Sequence, residues 1–442
     1  MAIQTASSIT AFTPGTKLFA PQVRLVKQDG APLTIGEVAI NEDVISISIT
    51  QVCNNVGQAE ITLNNQRFDG FRPVTPIWRY NKLDPKETSF GTRLRIDLRY
   101  GNDPWTPMML VRVTELSFTF PSTTAGVLVL KGEDLLSMLK TRRAEPKKHE
   151  KLHEIDIVES TVNDSGCGLS IAPFSPRNMF ATPLATLTHE DGKTNLQFIQ
   201  EIAERMDHEV YVEFEKPGEP LSADKDGKSA AVELVPKMYF RPSRSGTLGD
   251  PVTLIWSVDI IDFKPTIKVM ETLTAVKVAG NEPNKRGSVD KLVPESPSGA
   301  SALVNDLHTA TGGKKPFHAV ALRGRAVETE VASRTSASRG QLEKNVGSVQ
   351  ATNCDKQRAE MHATAVFRKS QREFLTAEVT VIGIAGLRPG IHVNLTKLEA
   401  PFDGIYYVTQ ALHTLSASGY ITKLSLRRPG MLDPADYPDG KK

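Results

Sequence analysis

The segment His149-Glu150-Lys151-Leu152-His153 has residue types and spacing that do chemistry elsewhere. On a helix, two histidines four residues apart share one face and hold a zinc ion, and the glutamate between them serves as general base. The reaction would be metal-assisted hydrolysis by a zinc metallopeptidase or wall hydrolase. The surroundings oppose it. Lys147, Lys148 and Lys151 flank the histidines and Pro146 precedes them. A cationic neighbourhood repels a divalent cation, and no third ligand follows at a familiar spacing. The residues favour a solvated, charged helix or linker.

The remaining reactive side chains form no catalytic pattern. His362, His392 and His413 are scattered, and lone histidines are mostly structural. Cys53, Cys167 and Cys354 lie far apart without a C-x-x-C pair or a histidine partner motif, and read as small apolar residues in a reduced compartment of synthesis. Asp207-His208-Glu209 invites a triad, but neighbours at one helix end rarely converge on a substrate. Gly312-Gly313-Lys314-Lys315 lacks the spacing of a phosphate loop. The basic residues of 314–345 read as a solvated arm, with the lining of a tube lumen as the sharper alternative. The expectation is therefore no catalytic, cofactor-binding or metal-binding residue.

The elements that would position these groups are mostly strands. Val44 to Ile49, Ala59 to Leu63, Leu94 to Tyr100, Met109 to Phe120 and Val127 to Leu130 alternate or run apolar, separated by turn residues such as Asn54-Asn55-Val56-Gly57. A first antiparallel barrel or sandwich is expected over 1–140. The period then changes. Glu133 to Lys140, Ile155 to Val162 and Thr194 to Met206 read as helices. In the last, Leu196, Phe198, Ile199, Ile202, Ala203 and Met206 share a face, and Thr194 with Gln197 forms a capping box. With the strand Glu209 to Phe214, residues 141–240 read as a mixed α/β insertion.

Strands return over 241–428: Val252 to Trp256, Ile267 to Val269, Thr274 to Val278, Thr376 to Gly383, Ile391 to Leu395, Ile405 to Val408 and Tyr420 to Leu426. Residues 217–230 read as an exposed loop and 281–350 as a long, partly extended excursion, possessing few large apolar side chains. Gln350 to Ser370 reads as a helix packing Ala359, Ala363 and Val366 inwards. Residues 429–442 read as a polar tail. The fold class is mainly β with an α+β insertion: two β modules bracketing a mixed one.

Composition narrows the function classes. The 442 residues carry 53 basic and 51 acidic side chains, a formal net charge of +2, which gives no reason to expect nucleic acid or an anionic membrane as a partner. The N-terminus lacks the pattern of a secretory signal, and no apolar run is long enough to span a bilayer as a helix. A carbohydrate-binding β protein of a host-recognition apparatus is a third class. The 6% aromatic content makes stacking platforms scarce.

Several segments, in order, carry a resemblance. Gly386-Leu387-Arg388-Pro389-Gly390, Phe402-Asp403-Gly404-Ile405-Tyr406-Tyr407-Val408, His413 and Tyr420-Ile421-Thr422-Lys423-Leu424 resemble the late control D family of phage tails. That family is related to the N-terminal hub part of type VI secretion spike proteins. Thr194 to Ala203 resembles the family's central helix, Trp256 to Pro265 its approach to a second barrel, and Ile47 to Asn64 its first barrel. The resemblance covers most of the chain except 281–350. It implies a baseplate hub of a contractile tail or injection system: a homotrimer of two tube-like barrels per chain, a pseudo-sixfold ring between tail tube and central spike. Its partners would be the spike, the first tube ring and other baseplate components, and its location a virion tail baseplate or an extracellular injection particle, after synthesis in the bacterial cytoplasm. The chain runs about a dozen residues past Arg427-Arg428, so the spike is expected to be a separate protein.

Overall fold

The computed structural model describes residues 21–67, 77–80, 91–141, 145–173, 179–214, 234–242, 251–268, 275–281, 288–294, 346–352, 356–398 and 402–428, apart from residues 32, 36, 37, 79, 102, 123 and 181. Calls on 217–230, on most of 281–350 and on 429–442 lie outside these residues, as does Cys354.

The first part of the chain is β except for a 3₁₀ turn (Ile40–Asp43) before β4. It forms β1 (Pro21–Lys27), a ribbon of β2 (Thr34–Ile35) and β3 (Val38–Ala39), β4 (Val44–Val52), β5 (Gln58–Asn64), a second ribbon of β6 (Gln66–Arg67) and β7 (Ile77–Trp78), β8 (Arg93–Tyr100), β9 (Thr106–Thr119) and β10 (Val127–Asp134). The alternation in sequence is the alternation in burial: Ile47, Ile49, Ala59, Ile61 and Leu63 face a core that Leu94, Ile96, Val111, Leu128 and Leu130 complete.

The middle part mixes elements. A 3₁₀ helix (Leu135–Lys140) leads to β11 (Lys147–Leu152), α1 (Glu154–Asp164), β12 (Ser170–Ile171), β13 (Leu184–His189), α2 (Asn195–Arg205), β14 (His208–Glu213) and β15 (Lys237–Pro242). The α2 N-terminus is closed by the expected box. Thr194 Oγ1 accepts from Gln197 N–H at 3.1 Å, and Gln197 Oε1 accepts from Thr194 N–H at 3.0 Å. All six residues of its expected apolar face are buried. They pack with Leu135, Leu136 and Leu139 and with Ile157, Val158 and Val162 of α1 into one core.

The last part comprises β16 (Val252–Ile255), β17 (Ile260–Ile267), β18 (Ala275–Asn281), β19 (Ser288–Pro294), β20 (Val346–Thr352), α3 (Lys356–Arg372), β21 (Leu375–Ile382), β22 (His392–Thr396), β23 (Gly404–Ser416) and β24 (Gly419–Arg428). Strands β21 to β24 bury Val379, Val381, Val393, Leu395, Tyr406, Val408, Leu424 and Leu426 in a core of their own.

The β modules are not separate sheets. Strands from both join one twelve-stranded sheet in the order β1-β8-β9-β10-β5-β4-β23-β24-β21-β17, with β22 on β23 and β16 on β22. All pairings are antiparallel except β16 with β22. Strand β23 makes the join. Its residues Gly404–Tyr407 pair with β22, and further along the same strand Gln410 to Leu415 pair with β4. Between these stretches Thr409 accepts from Cys53 N–H at 3.0 Å. Mainly β with one large antiparallel sheet is the observed class; among the described residues the path runs open from β1 to β17.

Three local expectations are corrected. His149 to Leu152 lies on β11, not on a helix, because Lys147 to Leu152 pairs with β13 and the ladder outweighs the weak helical pattern of a charge-rich segment. The helix expected over Glu133 to Lys140 is a 3₁₀ turn that begins at Leu135, because Asp134 ends β10 and caps it by accepting from Leu136 N–H at 2.9 Å. The helix expected from Gln350 begins at Lys356, since Val346 to Thr352 pairs with β18.

One glycine shows how tightly the two halves meet. A Cβ on Gly383 would sit 2.1 Å from the Tyr420 ring, which lies against the backbone and belongs to the first core although it comes from β24. Tyr100 of β8 donates to the Gly383 carbonyl at 2.5 Å. Gly383→Ala is expected to destabilise the fold by roughly 1–3 kcal/mol through overpacking, read as a lower urea midpoint.

Candidate functional site

The densest buried polar cluster lies where the mixed part meets both β parts. Strand β14 alternates Glu209, Tyr211 and Glu213 on one face, and that face is buried. Burying a carboxylate demands compensation. Glu213 receives it from Arg388, in the turn before β22, whose Nη1 donates to Glu213 Oε1 at 2.7 Å. The guanidinium also donates to the Met108 carbonyl at 3.1 Å and the Pro107 carbonyl at 2.6 Å. Gln51 of β4 donates to Glu213 Oε2 at 3.3 Å and to the Met108 carbonyl at 3.0 Å. One guanidinium therefore ties β9, β14 and the β22 turn together, and its exposure is only 1%. Burial pushes the Glu213 carboxyl up, and Arg388 pulls against that shift.

A second pair sits beside it. Glu209 accepts from Tyr407 of β23 and from Arg427 of β24, and the Arg427 guanidinium lies 4.7 Å from the Tyr407 ring centre. Burial, then Glu209, raises the Cys53 thiol, which keeps it protonated and a poor nucleophile. His392 packs edge-on against Tyr407, and burial with Arg427 beside it lowers its pKa to about 4.

The turn itself is built to bring Arg388 in. Gly390 has φ +85°, and a Cβ there would lie 2.8 Å from Tyr211 Oη, so only glycine fits. His413 braces the other side. Its Nε2–H donates to the Leu387 carbonyl at 2.9 Å, and its Nδ1 accepts from Tyr420 Oη at 2.8 Å. The ring is neutral in this arrangement. Burial, with Arg388 adding to it, lowers its pKa to about 3.

The residues singled out for chemistry do not converge. Asp207 accepts from Arg368 and Arg372 of α3, the His208 ring bonds the Met206 carbonyl at 2.7 Å, and Glu209 turns to Arg427. Three adjacent side chains thus serve three separate contacts. In the H-E-x-x-H segment His149 is buried and stacks at 5.9 Å on Phe198, while Glu150 is exposed and His153 is the residue before α1. Lys151, at φ +54°, is a left-handed kink within β11 between them. Among the described residues no group of three or more His, Cys, Asp or Glu side chains is arranged to hold a metal ion. Cys167 is buried in the mixed core, and His362 lies on α3, its pKa lowered by burial and then by Arg205. Residues 312–315 and the basic residues of 314–345 lie outside the described residues. Sequence reasoning missed the roles of Arg388, Glu213, Glu209 and Arg427. The available signal was a strand with glutamates at both ends of one face and arginines in otherwise apolar segments of the final β part.

No family model and no curated protein matches the sequence. Solved structures do match in shape. A tail protein from Neisseria meningitidis superposes with a TM-score of 0.56 at 13% identity, over 95% of this chain and 100% of that one. The 43 kDa tail protein of prophage MuSo2 from Shewanella oneidensis superposes with a TM-score of 0.55 at 11% identity, over 93% and 100%. The chain has the fold of these tail proteins. Over that fold the Arg388 cluster is a structural junction, where three parts of one tail-protein-like chain are locked.

Two expected outcomes follow from its geometry. Arg388→Met leaves Glu213 buried without its cation and lowers stability by roughly 3–5 kcal/mol; adding Glu213→Leu recovers part of the loss, so a double-mutant cycle in urea shows strong coupling. Protonation of His413 gives the second. An unfolded histidine titrates near 6.5, and the folded chain holds this one neutral until about 3. Below pH 6.5 the unfolded chain binds a proton that the folded chain refuses, so the contribution is full above 6.5 and falls as pH drops towards 3. Glu213, shifted upward, works in the opposite direction. The difference is therefore the test: between pH 7 and 4.5, His413→Gln loses stability less steeply than the parent.

Proposed function

We propose that the chain is a non-enzymatic baseplate hub subunit that assembles as a homotrimer and joins a sixfold tail tube to a threefold central spike. Residues 1–140 and 241–428 would form two tube-like β units, 141–240 the module between them, and 429–442 a tail. Three chains would then present six similar units around one axis. The role needs no cofactor, metal or catalytic residue. Its place is the baseplate of a virion tail or of an injection particle, with the spike, the first tube ring and other baseplate components as neighbours.

One observation carries this reading: a single continuous sheet holds two apolar cores, each built mainly by one half of the chain, with Leu415 and Tyr420 of the second half completing the first. Two β units fixed side by side within one polypeptide are what a threefold ring needs to imitate a sixfold one. The likeness in fold to two tail proteins supports the same assignment.

Native mass spectrometry of the purified chain, alone and mixed with the spike protein of the same particle, tests it. A trimer of the chain, or a complex of three chains with the spike, is the expected result. A chain that stays monomeric and binds no spike overturns the reading.

A further inference from the structure

Six arginines are buried among the described residues: Arg95, Arg241, Arg358, Arg368, Arg388 and Arg428. Five meet a carboxylate or a carbonyl oxygen. Arg95 pairs with Asp97 at 2.9 Å, Arg368 with Asp207 at 3.3 Å, Arg388 with Glu213 at 2.7 Å, and Arg358 with Glu154. Arg428 donates to the Asp403 carbonyl at 2.8 Å. Arg241 is the exception.

This side chain stands on β15 directly across from Glu209 of β14, on the face that carries Tyr211 and Tyr239. Its Nη2 donates to the Tyr211 hydroxyl. Its guanidinium carbon lies 5.3 Å from the Tyr211 ring centre and 5.0 Å from that of Tyr239, and the two rings stack 5.2 Å apart. Ring faces attract a cation, but they carry no net charge to balance it. Nε is buried and bonds nothing. Nη1 bonds no protein atom either, yet it is not sealed from solvent as Nε is. The residue keeps 8% exposure. A charge so far removed from water needs a counter-charge beside it.

The neighbouring groups are already committed. Glu209 accepts from Tyr407 at one oxygen and from Arg427 at the other, and Glu213 holds Arg388. Burial raises the Tyr211 hydroxyl and the Cys53 thiol, so both stay protonated and neutral at pH 7. At this junction three guanidiniums, those of Arg241, Arg388 and Arg427, therefore face two carboxylates. The arrangement is short of one negative charge.

We propose that Arg241 is a binding site for a carboxylate group, received from outside at its Nη1 end. A monoanion closes a deficit of one charge, whereas a phosphate, largely dianionic at pH 7, would overshoot it. Guanidinium donors to a carboxylate make short, strong hydrogen bonds. Ala172, Tyr211 and Tyr239 form an apolar cluster beside the guanidinium, and a low local dielectric strengthens the attraction. A free small acid and an acidic side chain of another protein present the same group. The site lies within one chain, so it exists whether or not three chains assemble.

The test uses the full chain at pH 7, with ionic strength held constant by sodium chloride. Sodium acetate stands for a free acid, and glutamate capped at both ends by acetyl and amide groups stands for a protein side chain. Binding is read from broadening of the probe's NMR signals and from the urea midpoint, which a ligand of the folded state raises. At least one probe binds the parent and raises its midpoint, and the tighter one names the source. Arg241→Met weakens that binding at least tenfold and abolishes the rise. Arg241→Lys keeps the charge and weakens it less. Without a probe, Arg241→Met unfolds at the parent's midpoint or above it, because it removes a charge that has no partner, whereas Arg388→Met unfolds earlier. A parent that binds neither probe overturns the proposal, and so does undiminished binding to Arg241→Met. A rise that sodium chloride alone reproduces marks an adventitious ion only and overturns it equally. An Arg241→Met chain as unstable as Arg388→Met, or unfolded, shows that Arg241 already has its counter-charge and refutes the site. None of these outcomes bears on the hub reading, which the trimer measurement decides.

Discussion

The structure depends on a buried carboxylate meeting a buried guanidinium. Glu213 and Arg388 are almost wholly removed from water, and each alone would cost several kcal/mol to place there. The cost is offset because donors and acceptors are matched: Arg388 reaches Glu213 and two backbone carbonyls, and Gln51 supplies a further donor to the carboxylate. Such matching tolerates little displacement. A small rotation of the mixed part against the sheet would separate charges in a medium of low dielectric, where separation is expensive. The pair therefore acts as a geometric lock, specifying one arrangement of three parts that apolar packing alone would allow to slide.

The second constraint is the continuity of the sheet through β23. A single strand that pairs with β22 along its first residues and with β4 along its later ones cannot belong to one half only. The two cores lie in the two halves, yet Leu415 and Tyr420 of the last hairpin are buried in the first. The halves thus exchange apolar side chains as well as hydrogen bonds. At the far edge, β17 includes Pro265, which has no N–H to donate. Proline belongs on edge strands, where it discourages unwanted strand addition.

Much of this was legible in the sequence, and the exceptions are instructive. Strands β4, β5, β21 and β24 were readable because one face of each is buried, and alternation then records burial directly. The capping box of α2 was readable because it is local, needing only Thr194 and Gln197. The H-E-x-x-H segment misled because its helical periodicity was carried by charged residues, while the pairing of β11 with β13 is set by partners some forty residues away. Strand β14 misled in another way. Its alternation was seen, but a face bearing Glu209 and Glu213 reads as solvated. It is buried only because Arg388 and Arg427 arrive from 175 and 218 residues further along the chain. No short window contains both partners. The junction of β4 with β23 is invisible for the same reason, so the sheet that sequence reading divides into two modules is one.

The covered end of the sheet follows a chemical rule that a surface meeting other molecules could not use. The covered end is formed once, during folding, by segments of one chain. There, buried charges are tolerable because covalent connection holds their partners nearby, and their strict geometry adds specificity. A surface that must meet separately made copies has no such help. Every desolvated charge on it would oppose association until its partner was in register. Apolar side chains on rigid hairpins avoid that penalty, since their burial gains free energy over a broad range of approach angles. Glu213, Glu209, Arg388 and Arg427 are all placed inside, where the chain itself keeps each charge within reach of its partner and the internal joints can be exact.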